Sequence, residues 1–238
     1  MLTVHYKILS RFLLLLVMAT GTFTMSAQVT EKNPDLVYGF DPLLYNGMAY
    51  YYYAPPHTTG TQYLFGLFDA QGSVTLRGNT YTSIALNLDI LNQQLIHKYT
   101  NSIGSPSLIQ ISFAWLEKFE IQGCHFEVIA KADTTKEIYQ VLGNGPSKIL
   151  YFQSRKLLVE NLTESTDRFF SRIQKLMYVY NGSVKVKYKN NRTFVAAFKK
   201  TQHDPIRKYI RKHNLTVHKA TDQQMTELIN YCNTLTGT

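Results

Sequence analysis

Residues 74–99 read VTLRGNTYTSIALNLDILNQQLIHKY. Val74 and Leu76 alternate with polar neighbours, Gly78-Asn79 marks a turn, and Ile84, Leu86, Leu88 and Ile90 then recur at every second position. Asn87 and Asp89 fall on the opposite face of that run. Asn92-Gln93 turns the chain again, and Leu95, His97 and Tyr99 carry a further strand. Successive strand side chains point to opposite sides, so a period of two bounded by turn residues describes strands with one apolar face.

The same grammar extends outward from this stretch. Leu108 to Phe113 and Phe119 to Ile129 repeat the alternation, and Glu137 to Leu142 and Ile149 to Gln153 flank the reversal Gly143-Asn144-Gly145-Pro146. Leu176, Tyr178 and Tyr180 run into Asn181-Gly182, after which Val184, Val186 and Tyr188 run out. Asn-Gly between alternating segments predicts a hairpin turn with positive φ at both central residues. Upstream, Asp41-Pro42 belongs to an irregular lead-in over 28–44, Tyr50 to Tyr53 reads as a strand halted by Pro55-Pro56, and 57–61 as a loop. The reading is about ten strands on connections too short for parallel crossovers. The expected fold is mainly β: a large antiparallel, hairpin-built sheet over residues 28–191, as a curled sheet, sandwich or barrel.

From residue 192 the period changes. A short helix from about Arg192 to Lys199 is expected. Asp204-Pro205 then supplies an N-cap and first helical position, followed by Ile206, Tyr209, Ile210 and His213 at helical spacing. Thr221-Asp222-Gln223-Gln224 has the form of a capping box, and Met225, Leu228, Ile229, Cys232 and Leu235 form the apolar stripe of a last helix. Residues 192–238 therefore read as a helical C-terminal cap.

The beginning of the chain has another character. Lys7 and Arg11 precede the apolar block 12–19, and small residues lead to Ser26-Ala27-Gln28. That is the layout of a secretory signal peptide, 1–27, cleaved after Ala27. The apolar block is shorter than the roughly 20 residues a membrane-spanning helix needs. An exported, periplasmic or secreted protein is expected, with no transmembrane segment after cleavage.

Net charge is +9, and two units less without Lys7 and Arg11. Export argues against nucleic acid as the reason for that excess. The remaining polyanions are acidic envelope polymers, lipid head groups or another envelope protein, with plain solubility as the alternative. Much of the charge sits on Arg207, Lys208, Arg211 and Lys212, with Lys199 and Lys200 upstream. At helical spacing these four make a stripe opposite Ile206 and Ile210, either a docking patch or a solvated face.

Catalytic signals are weak. No nucleophile elbow or zinc-ligand spacing occurs, the adjacent Cys124 and His125 would point to opposite faces of a strand, and no cofactor is implied. A two-carboxylate hydrolase site would have to pair Asp89 with Glu117, Glu120 or Glu127, although a strand Asp is more often solvated or paired with a lysine. Cys124 and Cys232 are candidates for one disulfide, or for two small buried thiols. The sequons at Asn161, Asn181, Asn191 and Asn214 read as coincidental in a bacterial protein.

Segments 78–96 and 185–231 resemble a group of exported, uncharacterised β-rich proteins of the Bacteroidetes. The shared features are a Gly-x-x-Tyr strand ending in Leu-x-x-Asp, an Asn-Gln-x-Leu reversal and a tail with Lys-Tyr-Ile. Leu88 stands in a slot that is often aromatic in that pattern. The resemblance implies an exported, envelope-associated β protein and carries no activity. Together these readings favour a non-enzymatic binding or structural protein of the cell envelope. A periplasmic carrier of a hydrophobic ligand comes next, and a hydrolase third. A filled core separates the first from the second, and a converging set of His, Asp or Glu separates the third.

Overall fold

Tight turns set the architecture. In the computed structural model, which describes residues 40–235 except 53, 67, 69, 131–134 and 161–166, strands follow one another through reversals of a few residues. The expected signal peptide, its cleavage step and the lead-in up to residue 39 lie outside the described residues, as do Tyr53 and the Asn161 sequon. In chain order the strands are β1 Met48–Ala49, β2 Thr58–Thr59, β3 Gln71–Leu76, β4 Asn79–Asp89, β5 Gln94–Thr100, β6 Pro106–Gln110 and β7 Leu116–Ile121. There follow β8 Cys124–Ala130, β9 Lys136–Leu142, β10 Lys148–Ser154, β11 Leu157–Val159, β12 Arg168–Phe170, β13 Gln174–Tyr180 and β14 Lys185–Tyr188. The helices are α1 Asn191–Val195, α2 His203–Lys212, entered through a 3-10 turn at Lys200–Gln202, and α3 Asp222–Thr234.

Eleven strands form one antiparallel sheet in the order β1-β6-β5-β4-β3-β7-β8-β9-β10-β13-β14. β3 to β6 meander one way and β7 onward the other, joined where β3 pairs with β7 from Gly72↔Ile121 to Leu76↔Leu116. Of the three architectures expected, the structure selects an open sheet: β1 and β14 are its two edges, and closure into a barrel would require them to pair.

Several local readings shift. The β3–β4 turn is Arg77-Gly78, at φ 47° and 81°, one residue earlier than Gly78-Asn79. Gln122-Gly123 makes the same kind of turn between Ile121 and Cys124, so the single run 119–129 is two strands. At Asn181-Gly182 the hairpin forms, but Asn181 closes it and Gly182-Ser183 is its tip. Only Gly182 has positive φ, at 89°, the pattern of a II′ turn with glycine first. Asn181 Oδ1 accepts from the Ser183 and Val184 amides instead. The loop expected at 57–61 contains β2, which pairs in parallel with β12 in a three-stranded sheet with β11, the one parallel pair among the described strands.

The helical cap is as read, with adjusted starts. Thr221 Oγ1 accepts from the Gln224 amide at 3.2 Å while Gln224 Oε1 accepts from the Thr221 amide at 3.0 Å, a complete capping box. Asp204 is not an N-cap. The 3-10 turn feeds directly into α2, so Asp204 lies inside the first helical turn, pairing with Arg207 at 2.9 Å. α1 spans Asn191–Val195 and is capped by Asn190.

Two apolar clusters fill one face of the sheet. Leu76, Leu86, Leu88, Leu95, Phe119 and Phe126 anchor the first, beneath β3 to β9. Ile149, Tyr151, Val179 and Tyr188 from the sheet meet Phe194, Ile206, Ile210, Met225, Leu228, Ile229 and Cys232 from the helices in the second. α3 also seats on the β9–β10 turn. A Cβ on Gly145 would run into the Asn233 side chain, and that side chain brackets the turn by accepting from the Ser147 amide and donating to the Ser147 carbonyl. Opposite lies a third cluster, Tyr139, Val141, Leu150 and Ile129, with Phe152, Tyr178 and Tyr180 against it.

Candidate functional site

The α2 stripe is built by the helix period. Ile206 and Ile210 are buried in the cap core, and Tyr209 stacks on His213 and Tyr231 with ring centroids 4.2 and 4.4 Å apart. Arg207, Lys208, Arg211 and Lys212 all occupy the solvent face. Arg207 pairs with Asp204, and among the described residues no acidic side chain lies within ion-pair distance of the other three. Arg211 and Lys212 sit in the last turn, where positive charge also complements the helix dipole.

Beside the turn that leads into α2 lies the sheet edge. Val184 and Val186 are 56% and 38% exposed, large values for β-branched residues, and Lys187 and Lys189 are exposed beside them. A cleft of about 220 Å³ opens along the hairpin, lined by Val179, Val184, Val186, Ala197, Phe198 and Lys199. The turn that carries Lys199 and Lys200 into α2 therefore borders the cleft. A second cleft, of about 300 Å³, lies between Gln71, Ser73, Ser83, Glu120 and Gln122 and is polar.

Of the carboxylates considered for hydrolysis, Asp89, Glu117 and Glu127 are tied into structural bonds. Asp89 is neither solvated nor paired with a lysine. It is fully buried: the 62–64 segment pairs with the edge of β4 at its end, and Tyr50 and Asn92 bond to the carboxyl group itself. Its Oδ1 accepts from the Leu91 and Asn92 amides, both at 2.9 Å, and Oδ2 from the Tyr50 hydroxyl at 2.6 Å and Asn92 Nδ2 at 2.9 Å. Burial, reinforced by the Asp89 bond, pushes the Tyr50 hydroxyl pKa far upward, so it stays a donor. Of its neighbours, Tyr51 is exposed and Tyr52 half-buried, its ring 6.3 Å from Phe170.

Glu117 accepts from the Gly78 amide, and Glu120 lines the polar cleft. Glu127 takes the Lys148 ammonium at 2.8 Å and His125 at 3.2 Å. Burial alone pushes its carboxyl up, but Lys148 and His125 outweigh that and hold it below the usual carboxylate range. Among the described residues no group of three or more His, Cys, Asp or Glu is placed to hold a metal ion.

Cys124 and Cys232 stay free thiols. Cys124 packs half-buried at the edge of the first core cluster, while Cys232 is fully buried in the cap core, so the disulfide weighed from sequence is not made. Burial raises both thiols, Cys232 to about 12, which leaves them poor nucleophiles.

Two polar arrangements had no signature in the sequence. Tyr139 donates to Glu137 Oε2 at 2.5 Å and accepts from Lys185 Nζ at 2.9 Å, joining β9 to β14. Gln93 donates to the Gln153 carbonyl, the Gln153 side chain to Gln140 Oε1, and Gln140 Nε2 to Asp222 Oδ2 at 2.6 Å, a relay ending at the first turn of α3. Each includes a bond between residues distant in the chain, which only the tertiary fold brings together.

The fold and surface define a mainly-β protein with one open antiparallel sheet, a helical cap and a basic end. Comparison with family models, with curated proteins and with solved structures finds no match to this chain.

Proposed function

We propose that this is an exported, non-enzymatic binding protein of the bacterial cell envelope, related to the Bacteroidetes group that segments 78–96 and 185–231 resemble, which docks an anionic partner through the basic end of its helical cap. The observation that carries this reading is the stripe Arg207, Lys208, Arg211 and Lys212. All four are exposed on one helix face, and three have no acidic partner among the described residues. Two further features support it. Asp89, Glu117 and Glu127, three of the four carboxylates weighed for a hydrolase, are tied into structural bonds. The sheet faces that a hydrophobic carrier would leave open are lined by packed clusters.

The test is salt-dependent binding. The purified protein should bind polyglutamate and vesicles rich in anionic lipid at low ionic strength. Binding should fall steeply towards physiological salt, where exposed charges are screened over about 8 Å. Changing Arg207, Lys208, Arg211 and Lys212 together to Gln should abolish it with stability nearly unchanged. A wild-type protein that ignores every polyanion at low salt would assign the charge to solubility. Export is checked by intact mass from the native host, where the mature chain should begin at Gln28.

A further inference from the structure

The hairpin register decides which backbone groups of β14 face outward. The Asn181 amide donates to the Val184 carbonyl at 3.3 Å, so 181 and 184 are a hydrogen-bonded pair. Alternation then makes Val179↔Val186 and Met177↔Tyr188 hydrogen-bonded pairs as well. Lys185 and Lys187 are the intervening residues, and their N–H and C=O groups point away from β13, off the end of the sheet. Strand side chains alternate too. Val184 and Val186 share the face with the 220 Å³ cleft, while Lys185 and Lys187 lie on the other, where Lys185 is held against Tyr139 and Lys187 is exposed.

We propose that β14 is a strand-addition site for an extended segment of a partner protein in which acidic and apolar residues alternate. This rests on the reading that the cap end docks an anionic partner, and it names the partner's chemistry. The added strand pairs its main chain with Lys185 and Lys187, as exposed sheet edges permit. On one face its carboxylates meet Lys187 and Lys189. On the other, an apolar side chain enters the cleft between Val186 and Phe198, with Lys199 at the rim. The lysines also select the partner. A second copy of β14 would bring like charges together across the new ladder, which is how edge lysines suppress self-pairing. An acidic strand turns the same charges into attraction.

The experiment uses the purified full chain and two capped peptides, one alternating Glu and Val, the other alternating Lys and Val. Amide exchange at Lys185 and Lys187 is followed by NMR at low salt. The Glu-Val peptide should slow exchange at both amides by at least about tenfold, as pairing does for an open edge, and the Lys-Val peptide should leave it unchanged. Lys187→Glu should exchange the two preferences. Val186→Glu should weaken the Glu-Val peptide by at least tenfold, its melting temperature confirming the fold. Protection by neither peptide, equal protection by both, or binding untouched by Lys187→Glu overturns the proposal. If the α2 quadruple variant loses polyglutamate and vesicle binding while the β14 amides never respond, strand addition fails and the docking reading stands. If the wild type ignores all polyanions, the docking reading fails with it.

Discussion

Two regions of the large sheet are sealed by opposite chemistry. At the β4–β5 turn a buried carboxyl group does the work: Asp89 collects two backbone amides, a tyrosine hydroxyl and an asparagine, so the turn and residue 50 converge on one acceptor. At the β13–β14 end the sealing is apolar: α1 to α3 lay Phe194, Ile206, Leu228 and Ile229 over Ile149, Tyr151 and Val179. The first solution is directional and closes inward. The second is non-directional, and it leaves its outer edge and the far side of α2 open to solvent. A surface available for binding therefore sits beside the helices, not beside the polar turn.

The comparison can be broken most forcefully at the cap. Phe194 is fully buried and packs edge-on to Tyr188 with ring centroids 5.1 Å apart. Phe194→Ala should cost about 3–5 kcal/mol, read as a lowered denaturant midpoint. If apolar sealing matters less than supposed, the loss will be closer to that of a surface change. Asp89→Asn tests the other end. It keeps the shape but removes the charge and replaces one acceptor oxygen with a donor, for an expected loss of about 1.5–3 kcal/mol. Loss of protection should begin at the Leu91 and Asn92 amides in native-state exchange, leaving the cap protected.

Two smaller effects sharpen the picture. Glu127 has a folded-state pKa below its unfolded value, so the stability it contributes is present above the ordinary carboxylate pKa of about 4.3. It is lost as pH falls through the lower folded value. Glu127→Gln should therefore flatten the stability profile below about pH 4.3, while at neutral pH the variant is less stable than wild type. Gly182→Val places a β-branched residue at φ 89° and should cost about 1 kcal/mol or more. An unchanged melting temperature would count against the turn geometry.

The alternation of 74–99 and of 176–188 made the strands and their antiparallel pairing legible, and the helical spacing after residue 192 did the same for the tail, because period and turn chemistry are local. Gln122-Gly123 escaped notice because glutamine carries no turn signature, although it takes the left-handed conformation as readily here as Arg77 does. The burial of Asp89 was illegible for a different reason. A strand's polar face looks solvated until something covers it, and the Tyr50 hydroxyl that meets Asp89 comes from outside its own hairpin. The basic stripe was legible as a helix face, but the cleft that Lys199 shares with Val186 was not, because it joins a hairpin to a turn from a different part of the chain.

The seam between β3 and β7 has a consequence in time. Most other contacts of the large sheet join neighbouring hairpins, which form quickly because little chain must be ordered to close them. Pairing Gly72 with Ile121 instead closes a loop that contains the entire β4–β6 meander. Its entropy is lost before the ladder returns anything, so two preformed meanders should wait on this one junction. A methyl group at Gly72 would strike the Glu120 carbonyl within that junction. Gly72→Ala should then slow refolding more than it speeds unfolding, and a chevron with the opposite asymmetry would place the slow step elsewhere.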